Sequence, residues 1–210
     1  MKCVVCHSQN IKSFGIFDFK HYWKCDFCEA KFLDKCHFLQ RADEKKHYSN
    51  HKNRVNDPAY RSFLEKLKEP LKRLLLPGDV GLDYGCGKGP ALADMFRQDG
   101  FEIELYDPFF FPNKTIFNKK YDFITCTETV EHFHDPFHEF IKIDGLLKAS
   151  GKLGLMTCFS TADDAFENWH YRRDPTHVVF YKESTFEVIS SQRRWVCDFP
   201  LKDIVLISKA

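Results

Sequence analysis

A glycine-rich turn is the first feature of this sequence that could support chemistry. The apolar segment Val80–Asp83 has the length of a short strand. It runs into Gly85-x-Gly87-x-Gly89, after which apolar residues recur at helical spacing. Glycines in a strand-to-helix turn allow the backbone to approach a bound ligand closely. Pro90 stands where a dinucleotide fingerprint has its third glycine, so the pattern favours a nucleoside ligand without a pyrophosphate.

An acidic residue follows the next predicted strand, Glu102–Tyr106. The carboxylate of Asp107 can accept hydrogen bonds from both hydroxyls of a ribose, and an adenine ring could stack on Phe109 or its aromatic neighbours. Asp83, at the end of the first strand, and Pro108, beside the acid, complete this group of ligand-binding candidates. A glycine turn, an acid and an aromatic side chain together predict a nucleoside pocket.

Two cysteine pairs lie in the first forty residues. Each pair has the Cys-x2-Cys spacing of a structural zinc site with four thiolates. The four residues are Cys3, Cys6, Cys25 and Cys28. A segment of this size buries too little surface to fold alone, so the pattern predicts a zinc ribbon that the metal stabilises. A redox role for the pairs is disfavoured, because such motifs have one pair beside a βαβ unit. Cys36 and His37 follow closely and could replace one ligand.

Composition limits the class of protein and of partner. The chain has 210 residues, 43% of them hydrophobic, and 31 lysines and arginines nearly balance 30 aspartates and glutamates. This balance argues against tight nucleic-acid binding. No signal-peptide core or long apolar run is present, so we expect a soluble, cytoplasmic protein without a membrane partner. Its nine cysteines then favour metal binding over disulfides where they cluster.

The chain divides into three predicted parts. Residues 1–40 form the zinc ribbon, 41–70 a linker with a lead-in helix, and 71–210 the main α/β domain. Asp57 followed by a proline predicts the start of that helix, over roughly 57–68 and ending before Pro70. The polar stretch 47–53 either folds over a ligand or is a solvated tether. Tyr48 and His51 are its candidate substrate contacts.

The glycine motif and Asp107 resemble motif I and the following acid of class I S-adenosylmethionine-dependent methyltransferases. The likeness extends over most of 74–209. Tyr121–Thr125 is similar to the fourth strand of that family. Glu128-Thr-Val-Glu131-His132 resembles the Glu-His element of small-molecule and quinone methyltransferases. The resemblance implies S-adenosylmethionine as cofactor, with Gly85 and Gly87 beside its methionine and ribose and Glu128 lining the methyl-donor cavity.

The resemblance also implies a fold. The family has a seven-stranded, mostly parallel Rossmann-like sheet with helices on both faces and an antiparallel last strand. The segments 195–199 and 203–208 are apolar and could supply the final hairpin. Between Asp107 and Tyr121 we find no clear third strand ending in an acidic residue, which leaves the adenine contact open.

The candidates for the methyl-acceptor side lie after two later strands. His132 is the first candidate for a general base, because a histidine can accept a proton near neutral pH. Residues 146–153 resemble the turn into the fifth strand of the family, and the loop 167–177 after that strand is rich in aromatics, histidines and arginines, as expected of a substrate lid. His170 and His177 are further base candidates from this loop, and the possible substrate contacts are Glu131, Tyr171, Arg172 and Arg173.

Structural interpretations compete with these roles. Glu131 and His132 could instead secure the start of a helix. In the loop, Arg173 could pair with Asp174, and Trp169 could fill the core.

Three functions remain open from the sequence. The first is methylation of a small-molecule acceptor on oxygen or carbon. The second is an RNA methyltransferase that uses the ribbon to bind nucleic acid, which the sparse lysines of the ribbon disfavour. The third is a non-catalytic zinc scaffold that binds the methyl donor and serves partner proteins. The sequence does not indicate an oligomeric state.

Overall fold

The structure, a computed structural model, describes residues 1–50, 54–160 and 162–209. Its helices are α1 (Arg41–Ser49), α2 (Pro58–Lys72), α3 (Ala91–Gln98), α4 (Pro136–Leu146) and α5 (Glu183–Arg193). Its strands are β1 (Ile11–Phe17), β2 (Lys20–Cys25), β3 (Lys31–Leu33), β4 (Val80–Tyr84), β5 (Glu102–Tyr106), β6 (Tyr121–Thr127), β7 (Leu147–Met156), β8 (Val179–Phe180), β9 (Trp195–Asp198) and β10 (Ile204–Lys209). Short 3₁₀ helices span Lys35–His37, Lys114–Asn118, Val130–His132, Asp163–Ala165 and His170–Arg173.

The main sheet is mixed and six-stranded, in the order β5-β4-β6-β7-β10-β9. Strands β5, β4, β6 and β7 are parallel, whereas β10 is antiparallel to both of its neighbours. The chain crosses from one side of β4 to the other between β5 and β6. In an open α/β sheet, ligands bind outside the carboxyl ends of the strands at such a switch point.

The strand residues alternate between two apolar layers. Phe123 and Met156 pack with α2 and α3 on one face, whereas the adjacent Ile124 and Leu155 pack with α4 and α5 on the other. This period of two is the pattern of a sheet covered by helices on both faces, as predicted. In the described part of the chain, no helix combines the length and hydrophobicity that a membrane span requires.

The prediction of seven strands in the main sheet is wrong by one. The chain between Asp107 and Tyr121 forms the 3₁₀ helix Lys114–Asn118 instead of a strand beside β5. Asn113 starts this helix, since its side chain accepts a hydrogen bond from the Thr115 amide at 3.0 Å. The predicted final hairpin is confirmed as β9 and β10.

A second, antiparallel sheet has the order β1-β2-β3-β8. Its first three strands come from the N-terminal segment, and β8 comes from the loop that follows β7. Lys31 pairs with Phe180 and Phe32 with Val179. The N-terminal segment therefore shares a sheet with the main domain, whereas a separate module was expected. The division of the chain at residues 40 and 70 stays a prediction.

Helix α2 begins as predicted and ends later. The Asp57 side chain accepts hydrogen bonds from the Ala59 and Tyr60 amides at 2.9 and 3.1 Å. The helix continues through Pro70 to Lys72, although proline removes one backbone hydrogen bond. Its last turn carries the buried Leu71, whose contact with the sheet compensates for that loss.

Candidate functional site

A pocket of about 760 Å³ opens at the carboxyl ends of β4, β5 and β6. This volume lies in the range of small-molecule and cofactor sites. Residues from four parts of the sequence line the pocket, and many of them were predicted as site residues. The predicted residues that line it are Tyr48, Asp83, Gly85, Gly87, Asp107, Pro108, Phe109, Glu128, His132 and His177.

The glycine turn after β4 forms one wall of the pocket. Gly85 and Gly87 have φ values of 82° and 62°, a region that glycine adopts without strain. A Cβ atom on Gly85 would lie 2.2 Å from Thr129 Cγ2, so glycine is required there sterically as well. The Thr129 hydroxyl also donates to the Gly85 carbonyl at 3.1 Å, which joins this turn to the loop after β6.

Asp107 is held in place by three backbone amides. One carboxylate oxygen accepts from the Phe109 and Phe110 amides at 2.8 and 3.0 Å, and the other accepts from the Gly87 amide at 3.1 Å. The last of these bonds joins the carboxyl ends of β4 and β5. The carboxylate therefore has a fixed orientation at the pocket wall, which is what recognition of a ribose requires.

Two further carboxyl groups at the pocket lie in low-dielectric surroundings. Asp83 is 2% exposed and accepts a hydrogen bond from the Thr125 hydroxyl at 2.8 Å, and burial raises its pKa to about 7. Burial and then the nearby Glu131 carboxylate raise the pKa of Glu128. Glu128 also has a φ of 46°, which is uncommon for a residue with a side chain. Perturbed carboxyl groups and an unusual backbone angle are frequent at functional sites.

His132 and His177 meet on the opposite wall. Their ring centroids are 4.7 Å apart, although the residues belong to loops after β6 and β7. His132 Nδ1 donates to the Thr176 carbonyl at 3.0 Å, and His177 Nδ1 donates to the Tyr171 carbonyl at 2.7 Å. Burial and then His132 lower the pKa of His177.

Glu131 and Tyr171 lie behind these histidines and do not line the pocket. The Tyr171 hydroxyl donates to Glu131 Oε1 at 2.5 Å, and the Thr157 hydroxyl donates to Glu131 Oε2 at 2.9 Å. Both residues are buried. The predicted direct substrate contacts of Glu131 and Tyr171 are therefore corrected to a supporting position. The sequence could not show this depth, because both residues are polar and were expected near the surface.

Helix α1 covers the pocket. Arg41 donates to the Pro108 carbonyl at 3.1 Å, and Glu44 Oε1 lies 2.8 Å from His134 Nε2. Tyr48 contacts both walls of the pocket. Its ring centroid lies 5.5 Å from that of Phe109 and 5.3 Å from that of His132. The sequence left two interpretations for residues 47–53, a solvated tether or a segment that folds over a ligand. The described part of this segment folds over the pocket. His51 lies outside the described residues.

Three residues predicted for the acceptor side lie elsewhere. Arg172 is 3% exposed and points toward the N-terminal sheet, where it donates to Asp18 at 2.7 Å and to the Glu167 carbonyl at 2.7 Å. Arg173 and His170 are exposed and do not line the pocket. The expectations of an arginine clamp and of a base at residue 170 are corrected, because the loop turns these side chains away from the pocket.

Trp169 is buried in the core, as its structural interpretation predicted. Asp174 accepts from the Thr176 amide at 2.8 Å and lies 3.2 Å from His47 Nε2, so its described contacts are not with Arg173.

The four N-terminal cysteines form a buried cluster, the cysteine cluster. Their sulfur atoms lie within 4.8 Å of one another, with Cys3 and Cys28 at 3.7 Å and Cys6 and Cys25 at 3.7 Å. A tetrahedral zinc with Zn–S bonds of 2.3 Å places its ligands about 3.8 Å apart, so the thiols fit that ion. Cys36 is exposed and lies outside the cluster.

The cysteine cluster is connected to the wall of the pocket that His132 and His177 form. The Thr185 hydroxyl at the start of α5 donates to the Cys28 carbonyl at 2.7 Å. The Leu33 amide donates to the Val178 carbonyl at 2.8 Å, and the Val178 amide donates to the Glu131 carbonyl at 2.9 Å. His177 therefore stands next to a residue that bridges the N-terminal sheet and the loop after β6.

The comparison with protein families agrees with this geometry. Residues 57–193 match a family model described as a methyltransferase domain. The chain belongs to this family. It is a methyltransferase, as its residues predicted. The matched residues include β4 to β8 and the whole glycine turn, and they begin after the cysteine cluster and α1.

Solved structures show the same fold at low sequence identity. A 1,6-didemethyltoxoflavin-N1-methyltransferase from Burkholderia thailandensis, solved with bound 1,6-didemethyltoxoflavin and S-adenosylhomocysteine, has a TM-score of 0.57 at 14% identity. The comparison covers 81% of this chain and 87% of that one. A magnesium protoporphyrin IX methyltransferase from Synechocystis PCC 6803 has a TM-score of 0.50 at 12% identity, covering 84% and 98%. A sequence search of curated proteins gives no match.

Several residues at the pocket were missed by the sequence reasoning. They are Arg41, Glu44, Tyr60, Phe63, Thr129 and Asp174. Thr129 had a usable signal, because it directly follows Glu128 in the element that resembles the family. Arg41 and Glu44 had none, since their polar segment reads as a linker until α1 packs on the pocket.

Proposed function

We propose that this methyltransferase transfers a methyl group from S-adenosylmethionine to a small-molecule acceptor bound between α1 and the loops after β6 and β7. The observation that carries the proposal is the fixed carboxylate of Asp107 beside the turn at Gly85 and Gly87. These groups share one pocket with His132 and His177 on the opposite wall. A methyl donor and an acceptor could thus be aligned within a single cavity.

The residues of the first wall fit the methyl donor. Asp107 would accept the hydrogen bonds of both ribose hydroxyls, because its orientation is already set by backbone amides. Gly87 leaves room, since no atom lies within 4 Å of a Cβ placed there. Phe109 offers a ring for the adenine, and the Arg41 guanidinium carbon lies 4.7 Å from the centroid of that ring.

The residues of the second wall suit a small acceptor. Among the described residues that line the pocket, carboxyl groups outnumber cationic side chains, which are Arg41, Lys88 and Lys142. A nucleic-acid substrate would bring phosphates toward these carboxylates at an electrostatic cost. This charge pattern supports a small molecule over RNA. The two reacting groups need mainly alignment, since methyl transfer from a sulfonium is an in-line displacement.

The N-terminal sheet would serve this site as a support. We infer that the cysteine cluster binds a structural zinc ion, because four buried thiols at tetrahedral spacing fit that ion. The ion would stabilise β1 to β3, and β3 holds the strand that follows His177. Zinc would thereby act on acceptor binding without contacting the acceptor.

Isothermal calorimetry with S-adenosylhomocysteine tests the methyl-donor assignment. We expect saturable binding to the wild-type protein, with about one site per chain because the chain has one glycine turn of this kind. Transfer of a labelled methyl group to a panel of hydroxylated small molecules and to a structured RNA tests the acceptor class. Transfer to RNA with binding that falls steeply with salt would overturn the small-molecule proposal.

A further inference from the structure

Three metal-ligating side chains converge where the acceptor side of the pocket meets the protein core. The ligand atoms of Glu131, His132 and His177 lie within 4.8 Å of one another. His132 Nε2 is 4.0 Å from Glu131 Oε1. Two of the residues follow β6, and the third comes from the loop before β8, so only the folded chain brings them together.

The orientation of both imidazoles is fixed by backbone carbonyls. A carbonyl can only accept, so Nδ1 of His132 and Nδ1 of His177 each carry the hydrogen in their bonds to Thr176 and Tyr171. In the neutral ring, the Nε2 atom then has a free lone pair. This is the second-shell arrangement that orients histidine ligands in metal sites.

The Glu131 carboxylate is buried and lacks a close cationic partner. It is 0% exposed and accepts from the hydroxyls of Tyr171 and Thr157. Among the described residues, its nearest ion-pair partner is His132 at 4.0 Å. A buried carboxylate beside imidazole lone pairs is stabilised by a cation, because buried charges in proteins are paired or coordinate metals.

We propose that Glu131, His132 and His177 bind a divalent transition-metal ion at the acceptor end of the pocket. Two imidazoles and one carboxylate are a ligand set used by zinc, iron and related ions, with further coordination positions left open. His132 and His177 line the pocket, so the open positions face it. They would take the oxygen atoms of the methyl acceptor.

The substrate class that this site selects is an acceptor with two adjacent oxygens, such as a vicinal diol or a catechol. This step rests on the proposed function. The metal lowers the pKa of the bound hydroxyl, whose proton passes to solvent. The oxygen then attacks the methyl carbon, the carbon–sulfur bond breaks, and the sulfur leaves as the neutral thioether of S-adenosylhomocysteine. The histidines act here as metal ligands, which replaces their predicted role as general bases.

Binding of Mn²⁺ followed by electron paramagnetic resonance tests the site. The full chain is first loaded with one equivalent of zinc, which thiolates bind in preference to manganese. We expect one Mn²⁺ per chain, by the ligand set above, and a loss of at least about tenfold in affinity in His132→Gln and in His177→Gln. His138→Gln is the matched control, because His138 is exposed and belongs to a separate group with the half-buried His7 and the exposed Asp135.

Each outcome decides the assignment. Absence of Mn²⁺ binding, unchanged affinity in both pocket variants, or loss in the His138→Gln control would overturn it. If the variants fail to fold, the wild-type protein still provides a test. Mn²⁺ should then broaden the ring resonances of His132 and His177 and leave those of His138 sharp.

Calorimetry with S-adenosylhomocysteine separates the two proposals. If this ligand binds and Mn²⁺ does not, the metal site fails and the proposed function stands. If Mn²⁺ binds and S-adenosylhomocysteine does not, the proposed function fails and the metal site stands. With both bound, methyl transfer to a catechol should require the metal, and transfer that survives metal removal would exclude the catalytic role.

Discussion

The two walls of the pocket are built in different ways. The wall proposed for the methyl donor comes from one continuous stretch of β4, α3 and β5, in which the Gly87 amide and the Asp107 carboxylate are hydrogen-bonded. The wall proposed for the acceptor combines α1, the loop after β6 and the loop before β8, with the N-terminal sheet behind it. The first wall depends on local backbone geometry, and the second depends on docking between distant segments.

This difference has a physical consequence. A turn whose conformation is set by glycines and backbone amides tolerates few substitutions at its own positions, and its described contact with the loop after β6 is made by Thr129. A wall made of docked loops responds to any change that loosens the docking. The two walls should therefore fail under different perturbations, which the following experiments measure.

Removal of zinc should have the largest effect. Cys28→Ser is expected to lose most of the metal's contribution to folding, about 10 kcal/mol in comparable four-ligand sites. Hydrogen exchange should rise in residues 176–180, which lie beside β3, and much less in β4. Metal analysis and exchange mass spectrometry check this. Cys36→Ser, at an exposed thiol, is the control, and equal effects of the two variants would refute the zinc assignment.

The next largest effect is expected at Asp107. Asp107→Ala removes two charge-assisted hydrogen bonds to the ribose, so affinity for S-adenosylhomocysteine should fall by about 4 kcal/mol, roughly a thousandfold. Calorimetry measures the affinity, and circular dichroism monitors the fold. Asp198→Ala replaces an exposed aspartate on β9 and should bind normally. An unchanged affinity in Asp107→Ala would remove the ribose assignment.

Gly85→Ala tests the steric side of the same wall. The new methyl group would meet Thr129 Cγ2 at 2.2 Å, and the φ of 82° is unfavourable for alanine. We expect a loss of about 3 kcal/mol in the free energy of unfolding, from strain and overlap together. Gly100→Ala has a similar φ of 91° with no atom within 4 Å, so it should cost only about 1 kcal/mol. Equal costs by denaturant unfolding would contradict the role of Thr129.

The smallest effect concerns the pH dependence at Asp83. Its pKa is raised from 3.8 to about 7 on folding, chiefly by burial. The folded state therefore holds the proton more tightly, and this contribution to stability is fully present below about pH 3.8 and is lost as the pH rises through about 7. Between roughly pH 5 and pH 7, Asp83 should lower the free energy of unfolding by about 2 kcal/mol, and Asp83→Asn should remove this decrease. Unfolding curves that keep their wild-type pH dependence would contradict this.

Sequence patterns predicted the elements of the first wall closely. Strand β5 has the predicted bounds, β4 and β6 run one or two residues longer, and the final hairpin is present. The sequence between Asp107 and Tyr121 shows no strand pattern. The prediction of seven strands nevertheless followed the family resemblance, and the main sheet has six. Helix α2 continues past Pro70, because the burial of Leu71 outweighs the hydrogen bond lost at the proline. Helix propensity is a local property and does not include this burial.

For the second wall, the sequence predicted which residue types to expect but not which individual residues line the pocket. The abundance of histidine, arginine and aromatic residues in the loop before β8 suggested a substrate lid, yet the pattern did not separate His177 from His170. Arg172 was expected at the ligand and instead reaches Asp18 in the N-terminal sheet. Side-chain direction in an irregular loop is set by what packs against it, which is information from elsewhere in the chain.

The sequence by itself determined the glycine turn at Gly85 and Gly87, the acid at Asp107 and the cysteine spacing. These are short-range patterns in which backbone conformation or ligand geometry dictates the residue type. Only the tertiary structure decided that β8 joins the N-terminal sheet, that α1 covers the pocket, and that Glu131, His132 and His177 converge. Those arrangements follow from the burial of apolar surface between segments far apart in the chain, which is non-directional and leaves no local signature.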